Sequence, residues 1–582
     1  MTVHSEALLA RSSRSLCNGI LLTPRAASTG VLALALGCSA ALAQVLPPGI
    51  GTTLREIEQT RPEPPQQKSP SLQVDQPARP ALDADPGVTF PVTSLRITGA
   101  TAFPESKLLP LVNEFEGADV SLADLERAAA RISNFYRQNG FPVARAYVPA
   151  QEIKDGVVEI AVLEGHYGKL DLRNSSRLSG TLVRDTLSAA VGGALIEQSK
   201  LDRDLLLLKD LAGVASAATL KPGEQVGTSD LVIDITPTRT FTGTLEGDNY
   251  GNRYTGRSRL GGSVAAANLA GRGDLLSIRG LVTEETGLWY GRAGYQIPVS
   301  GSGLSLGGAF SHTYYTLGRQ FTPLDASGNA DITTLFAAYP AIRSTRGNLD
   351  VQTSFNYFTL DDVVNATSTV NPRWLRSFAI SLTGDLHDDV LGGGVTAGSV
   401  AFVNGYLQFQ NQIAYRIDQA TAQTAGSFDT LVYSALRLQR VTDAIQLYVA
   451  IQGQFAGKNL DPSQKFVLGG PNGVRAYPQG EGVGDDGFLG TAELRYTLPP
   501  WRWLTRPQVF AFFDGGTIRI NQNPFLPVPN QISLYGAGVG INLLATDGFA
   551  LRGSLAWKIG AEPVPGVTNP NSQGWIQIVK SF

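Results

Sequence analysis

From Phe241 onward the chain loses helical spacing and breaks into short segments in which apolar and polar residues alternate. Ile445, Leu447, Val449, Ile451 and Phe455 alternate with Gln446, Tyr448, Ala450, Gln452 and Gln454. Phe488, Ala492, Leu494 and Tyr496 share one face of a later segment, and Thr491, Glu493, Arg495 and Thr497 share the other. Near the C-terminus Phe549, Leu551, Leu555 and Trp557 alternate with Arg552, Ser554 and Lys558. A period of two is that of a strand, whose successive side chains point to opposite faces. One apolar and one charged face, repeated over so many strands, fits lipid outside and water inside. About sixteen such segments fit into residues 240–582, each of roughly ten or eleven residues, the length that crosses a bilayer when tilted. The pattern predicts a membrane β-barrel of about sixteen antiparallel strands over residues 238–582. An even count puts both barrel ends on one side. Short turns at 268–274 and 497–507 then alternate with long loops at 318–330, 411–427 and 456–485.

Composition agrees with a barrel and excludes other classes. Charged residues are only 17 % of the chain, against 64 glycines and 33 prolines. Beyond the N-terminal region no run of about twenty apolar residues offers a membrane helix. The net charge of −3 argues against nucleic acid as a partner, because phosphate binding needs clustered Lys and Arg. The first residues read as a secretion signal over 1–43. Arg11, Arg14 and Arg25 precede the apolar stretch 31–43, and Ala41-Leu42-Ala43 offers a small-residue cleavage site before Gln44. Ala35-Leu36-Gly37-Cys38 faintly resembles a lipoprotein cleavage box. Both cysteines, Cys17 and Cys38, lie in this leader, so the mature chain is expected to carry no disulfide and no thiol chemistry.

Between leader and barrel the pattern is mixed. Residues 50–60 have the spacing of one short helix, through Leu54 and Ile57. Residues 62–91 are rich in Pro, Gln and Asp without periodicity, which reads as an extended flexible linker. From 92 to 165 a small α+β domain is predicted. It has a strand at 92–97, a helix from Pro104 to about Asn113 with a kink at Pro110, and a capping-box start at Ser121 and Asp124. Leu122, Leu125, Ala129, Ile132 and Tyr136 then recur at helical spacing up to Gly140, and strands follow at 144–149 and 157–163 around an Asp155-Gly156 turn. The same order recurs over 166–237: a strand near 169–172, a helix from Leu182, a helix near 201–211, and strands at 215–220 and 230–236.

The chemistry-bearing segment is Gly473-Val474-Arg475-Ala476-Tyr477-Pro478-Gln479-Gly480, followed downstream by Phe512-Phe513-Asp514-Gly515-Gly516. Phe510, Phe512 and Asp514 share one strand face; Val509, Ala511 and Phe513 share the other. If the second set faces lipid, Asp514 points into the lumen. A carboxylate there needs a cation, and a loop of about thirty residues is long enough to bring Arg475 to it. Glu493 and Arg495 project into the same lumen and extend the network.

These segments resemble the loop "VRGY" and strand "FxDxG" motifs of two-partner secretion transporters, the FhaC/ShlB/HecB or TpsB family of hemolysin secretion/activation proteins. Ala476 departs from the pattern, which has glycine there. Phe141-Pro142-Val143-Ala144 is similar to the family's "GYPxA"-type segment. The runs 248–251, 255–256 and 268–274 resemble its first barrel hairpin, and 339–344 its "YPxxRS" turn. The final strand, 574–582, ends on Phe582, as outer-membrane proteins inserted by the BamA machinery do. The resemblance covers nearly everything from about residue 45. It implies two periplasmic POTRA domains at 92–165 and 166–237, a plug helix within 44–61, and a barrel in the outer membrane of a Gram-negative bacterium. It also implies that Val474, Arg475, Tyr477, Phe512, Asp514 and Gly516 form a loop lock. The implied partners are membrane lipid, the BamA machinery for insertion, and a large secreted exoprotein, TpsA-type, met by the POTRA domains: an adhesin, a cytolysin or a toxin. The drive for export would come from folding outside.

Other functions are weaker readings. A BamA/TamA-type assembly factor would share the POTRA domains and the arginine loop, but usually carries more POTRA domains and no Pro-rich linker. Gly303-Leu304-Ser305-Leu306-Gly307 fits the nucleophile-elbow pattern, but continues as a strand toward Phe310 instead of turning into a helix. His387-Asp388-Asp389 sits at a turn without a second ligand cluster. Of His4, His166, His312 and His387, only His312 lies near a barrel strand end where a lipase would need it. No phosphate loop or dinucleotide fingerprint occurs. The chain is read as a non-enzyme with no cofactor and no metal.

Overall fold

The computed structural model describes residues 47–67, 69–75, 88–190, 192–284, 287–560 and 570–582. The expected leader, its cleavage site after Ala43, both cysteines and linker residues 76–87 lie outside the described residues.

Helix α1 (Ile50–Glu58) and strand β1 (Leu72–Val74) precede two small α+β domains. The first contains β2 (Thr89–Val92), β3 (Ser94–Thr98), α2 (Glu105–Leu108), β4 (Ala118–Ser121), α3 (Leu122–Gln138), β5 (Arg145–Tyr147) and β6 (Val157–Leu163). Its sheet runs β3-β6-β5, with β3 parallel to β6. The Ser121 Oγ accepts from the Asp124 N–H, and Asp124 accepts from the Ser121 N–H at 2.8 Å, a reciprocal cap that starts α3. Leu125, Ala129, Ile132 and Tyr136 on α3 are buried against the sheet. A fully buried aliphatic side chain contributes about 1.5–3 kcal/mol. The helix expected from Pro104 to Asn113 is instead one turn of α2 followed by two 3-10 turns, at Leu109–Leu111 and Asn113–Phe115. Pro110 is the reason, because it has no N–H to donate to the carbonyl four residues back and its ring crowds that carbonyl.

The second domain contains β7 (His166–Asn174), α4 (Gly180–Thr186), α5 (Gln198–Asp210), β8 (Val214–Pro222) and β9 (Thr228–Pro237). Its sheet order is β1-β8-β9-β7. The edge strand is supplied by the linker: β1 lies parallel on β8, pairing Leu72 with Ala218 and Val74 with Leu220. The linker composition that reads as flexible is thus partly spent on an ordered strand. The two domains interlock. Val143 of the first packs into the core of the second, and the Gln198 N–H donates to Gly140 O at 2.8 Å.

The remaining strands close into one antiparallel barrel. They are β10 (Phe241–Asp248), β11 (Arg259–Ala267), β12 (Leu275–Thr283), β13 (Leu288–Pro298), β14 (Ser305–Thr316), β15 (Ala326–Arg343), β16 (Gly347–Val364), β17 (Thr369–Asp388), β18 (Gly394–Phe409), β19 (Gly426–Arg440) and β20 (Ile445–Ala456). Within the following loop, β21 (Phe466–Val467) and β22 (Val483–Gly484) form a small separate hairpin. The barrel then continues with β23 (Asp486–Thr497), β24 (Gln508–Arg519), β25 (Gln531–Leu544), β26 (Phe549–Lys558) and β27 (Ser572–Ser581), which pairs with β10 to give sixteen strands. Alternation sorts the faces. On β20, Val449 and Phe455 are exposed outward, whereas Tyr448 and Gln454 are buried inward.

Several strands exceed the expected ten or eleven residues: β17 has 20 and β16 has 18. Outward residues of β17 change from Phe378, Ile380 and Leu382 to Arg376, and the outward Asn404 on β18 bonds Asp429 on β19 at 2.7 Å. The extra length therefore carries polar residues and stands beyond the apolar belt. It shortens the loop expected at 318–330, because β15 already begins at Ala326. The loop expected at 411–427 contains a helix, α6 (Gln412–Ala420).

The second small domain is fastened to the barrel's near-side turns. Arg343 clamps Asp210 at the end of α5 with two bonds of 2.7 Å, and Arg203 donates to Pro340 O at 3.0 Å. The Ser179 N–H donates to Gly271 O at 2.7 Å. The motif-bearing turn at 268–274 and the stretch 339–344, which is the bulged end of β15 and not the turn expected there, thus act as docking points.

Candidate functional site in the barrel lumen

The loop between β20 and β23, residues 457–485, folds back into the barrel. Phe466, Leu468, Val474, Ala476 and Tyr477 pack there against the inward Leu489, Phe510, Phe512, Ile518, Leu534 and Ala556. This apolar packing holds the loop in, and the ion pairs fix its pose.

Arg475 is 2 % exposed, and Asp514 is fully buried. The Arg475 backbone N–H and Nε donate to Asp514 Oδ2 at 3.2 and 2.7 Å, and Nη2 donates to Oδ1 at 2.7 Å. Nη1 donates to Glu493 Oε1 at 2.7 Å. The guanidinium stands 3.3 Å from the Phe512 ring centroid, a cation–π contact that pre-orients the fork. The Thr491 hydroxyl donates to Asp514 Oδ1 at 2.9 Å, and the Trp575 indole donates to Arg475 O at 2.8 Å. Arg495 donates twice to Glu493 Oε2, at 2.9 and 2.7 Å.

Register explains the arrangement. Thr491 pairs with Asp514 across β23 and β24, and Glu493 with Phe512. Glu493 and Asp514 are therefore diagonal neighbours on one inner face. Phe510 and Phe512 are buried on that face, while Phe513 is 47 % exposed on the other. Gly516 is required by close approach, because a Cβ there would come within 2.4 Å of Phe488 O and 2.5 Å of Leu468 Cδ1. Ala476, the departure from the motif, has a local compensation. A Cβ on Gly536 would lie 2.4 Å from the Ala476 methyl, so that methyl fills the space a side chain on β25 would occupy. Val474 and Tyr477 are fully buried, with the Lys558 ammonium 4.9 Å from the Tyr477 ring centroid.

The N-terminal segment enters the same site. The Ile50 N–H at the start of α1 donates to Asp362 Oδ1 at 2.8 Å, as the positive end of a helix dipole favours. Asp362 also accepts from Arg373 at 2.9 Å, and Arg373 donates to the loop's Asp461 at 2.6 Å. Farther along, Asn252 donates to Glu56 at 2.7 Å, Arg55 to Lys465 O at 3.0 Å, Gln59 to Val467 O at 3.0 Å, and Asn472 to Gln59 O at 2.8 Å. Arg61 then binds Glu493 Oε1 at 2.7 Å, and the Tyr448 hydroxyl donates to Pro62 O at 2.6 Å. Glu493 is thus shared by three guanidiniums: Arg61, Arg475 and Arg495.

The structure brings all eight sequence-derived residues, Val474, Arg475, Tyr477, Glu493, Arg495, Phe512, Asp514 and Gly516, into this one region. Sequence reasoning missed Arg61, Asp362, Arg373, Asp461, Thr491 and Trp575. Parity carried a usable signal for Arg373, which shares the inward face of Leu375 and Ser377. Arg61 had none.

The other motifs take no part. Ser305 begins β14 and pairs with Ala338 on β15, so the stretch is a strand and not an elbow. His387 and Asp388 end β17, where Asp388 pairs with Arg437. His312 contacts Asp331 at 2.6 Å and stacks on Trp289 on the outer face. Among the described residues no group of His, Cys, Asp and Glu has metal-site geometry.

A family model described as haemolysin secretion/activation protein ShlB/FhaC/HecB matches residues 227–543. The chain belongs to this family. A model for the POTRA domain, ShlB-type, matches residues 90–165, the first small domain. The ShlB/FhaC/HecB chain is similar to the heme/hemopexin transporter protein HuxB of Haemophilus influenzae (strain 86-028NP). The two are 28 % identical over 543 residues, covering 92 % of this chain and 95 % of the relative. It is 23 % identical over 519 residues to the outer membrane transporter CdiB of Dickeya dadantii (strain 3937), covering 86 % and 88 %. The solved structure of CdiB from Escherichia coli superposes with a TM-score of 0.68 at 18 % identity, covering 87 % of this chain and 93 % of that one. BamA from Haemophilus ducreyi lacking POTRA domains 1–3 gives 0.51 at 13 % identity, over 85 % and 100 %. These two structures establish the fold alone. The ShlB/FhaC/HecB protein is an outer-membrane transporter of two-partner secretion, with its POTRA region in the periplasm. It exports a partner exoprotein and is not an enzyme.

Proposed function

We propose that the exported exoprotein, TpsA-type, follows the route the transporter's own N-terminal segment occupies at rest. One observation carries this reading: an extended stretch of the chain already connects the POTRA region to the lumen. Helix α1 starts at Asp362; the stretch leaves its other end beside Val467 and Asn472, passes Glu493 and Tyr448, and touches Thr345 O through Gln67 at 3.1 Å. It then accepts from Lys209 at Ser69 O at 2.7 Å, and lies on β8 as β1. Helix α1 is the plug and residues 61–75 are its tether. The POTRA domains receive the unfolded partner by adding its strand to a sheet edge, which needs backbone hydrogen bonds and little side-chain specificity. At rest β1 holds the β8 edge. The Arg475–Asp514–Glu493 cluster keeps loop 457–485 inside the barrel and is needed for export, not for insertion. Insertion itself falls to the BamA machinery, and the partner is an adhesin, a cytolysin or a toxin.

The test is export of a co-expressed exoprotein, scored as protein in the medium per unit of heat-modifiable transporter in the membrane. Deleting residues 92–165 should abolish export and leave the barrel inserted, because its ladder closes without them. Normal export by that deletion overturns the role given to the POTRA domains. Deleting residues 44–61 should raise single-channel conductance, and unchanged conductance overturns the plug.

A further inference from the structure

The lumen wall around the closing seam of the barrel holds more guanidinium than carboxylate. Arg259, Arg279, Arg292, Arg495 and Arg552 all project inward from β11 to β13 and from β23 to β26, on the faces shared with buried neighbours such as Leu281, Tyr290 and Ala556. Three of them have carboxylates. Arg259 binds Asp248 at 2.7 Å, Arg279 binds Glu246 at 2.8 Å, and Arg495 binds Glu493 at 2.7 Å. Asp514 is taken by Arg475. Among the described residues Arg292 and Arg552 make no direct ion pair with a carboxylate, and Arg292 lies beside the Tyr290 hydroxyl.

Two cavities meet at Arg552. One, of about 400 Å³, is lined by Arg61, Arg495, Arg506 and Arg552 together with Glu63. The other, of about 380 Å³, is lined by Arg61, Arg259, Arg279 and Arg552 together with Glu56, Glu63 and Glu246. The N-terminal segment brings two carboxyl groups to this wall: Glu56, which accepts from Asn252 at 2.7 Å, and Glu63. Across the lumen β17 presents Arg373, paired with Asp362 and Asp461, and Asp385, held by Asn348 at 2.9 Å. A pore with cations on one wall and low-dielectric surroundings concentrates anions against that wall.

We propose that this face is a carboxylate-binding rail for the exported chain. It rests on the reading that α1 and its tether withdraw during export. Once Glu56 and Glu63 leave, Arg292 and Arg552, with Arg495 beside them, take up acidic side chains of the passing polypeptide in succession, and the open pore prefers anions. The paired arginines contribute field and shape, and the two surplus ones supply the binding.

The full chain carrying Leu54→Asp, which places a charge on the buried face of α1, is compared in planar bilayers with the same chain also carrying Arg292→Gln and Arg552→Gln. Under a potassium chloride gradient the first should show raised conductance and a reversal potential displaced toward that of chloride. The added substitutions should keep the conductance and lose most of the displacement. A glutamate-rich peptide on the periplasmic side should block the current longer than a lysine-rich peptide of equal length, and the two glutamines should remove the difference. Raised conductance without anion preference, or a preference indifferent to the two arginines, overturns the rail alone. Blockade by inorganic phosphate with none by the glutamate-rich peptide reduces it to a small-anion site and overturns the polypeptide assignment. Conductance that stays at the resting level overturns the withdrawal reading and, with it, the exposure that the rail requires.

Discussion

Glu493→Gln and Asp514→Asn separate the two things held by the lumen cluster. Asp514 takes three bonds from Arg475 and none from the N-terminal segment. Glu493 takes one from Arg475 and one from Arg61, both on Oε1. Both carboxylates are at most 1 % exposed, so each charge lost leaves a desolvated guanidinium behind. Removing one partner of a buried pair costs about 3–5 kcal/mol when the site is dry, and the wet lumen puts Asp514→Asn at the low end of that range. The loop's apolar packing then has to hold it alone. Glu493→Gln takes one charge-assisted bond from the tether, worth about 1.5–3 kcal/mol, which is roughly 10- to 150-fold in the ratio of seated to withdrawn segment. It takes only one of the four bonds that Arg475 donates, so the loop keeps its pose. The expected order is therefore opposite in two assays. Tryptic cleavage after Arg475 in intact membranes should rise most for Asp514→Asn. Channel opening in planar bilayers should rise most for Glu493→Gln. Both variants should insert as heat-modifiable barrels, since the strand ladder is untouched. If the two variants move both readouts equally, or if the order is reversed, Glu493 does not divide its charge between loop and tether as the distances indicate.

Three further outcomes are expected. Gly536→Ala should destabilise the loop pose by clashing with the Ala476 methyl, and Ala476→Gly in the same chain should restore it; equal tryptic sensitivity of single and double variants refutes the compensation. Asp75→Pro removes the donor that binds Leu220 O at 2.9 Å, so β1 should release the β8 edge and residues 69–75 should exchange amide hydrogens faster, whereas unchanged exchange would count against it. Glu164 is 2 % exposed and accepts from Thr101 N at 2.6 Å, Ala102 N at 2.7 Å and Tyr136 Oη at 2.7 Å. Burial pushes its pKa up, but these bonds outweigh burial and hold the carboxyl below its ordinary value. Its stabilisation is complete above the unfolded carboxyl pKa of about 4.3 and fades as pH falls through the lower folded value. Glu164→Gln should cost the first domain about 1.5–3 kcal/mol at pH 7 and flatten its acid sensitivity, read by thermal proteolysis at pH 7 and pH 3. Wild-type stability at pH 7 sinks that argument.

Side-chain parity is the reason much of the barrel and part of the site were legible in the sequence. Lipid and water lie on opposite faces of each strand, so a residue's position modulo two decides its surroundings. That places Asp514, Glu493 and Arg495 inside together, and a loop of sufficient length can then deliver Arg475. Parity is silent where both faces meet water. Strands β16 and β17 run past the apolar belt, and their ends left no mark in the sequence. It is also silent on neighbours. Ala476 reads as a defect in a motif until register sets Gly536 beside it. Arg61 sits in a stretch with no period at all, so neither helix nor strand reasoning could aim it. Its partner is fixed by the path the segment takes through a closed wall, a path built from contacts with Asp362, Val467 and Tyr448 that are remote in sequence. Such contacts are spread along the segment and act together, which fits the withdrawal we propose for it. The Arg475–Asp514 pair, by contrast, concentrates three bonds on one carboxylate.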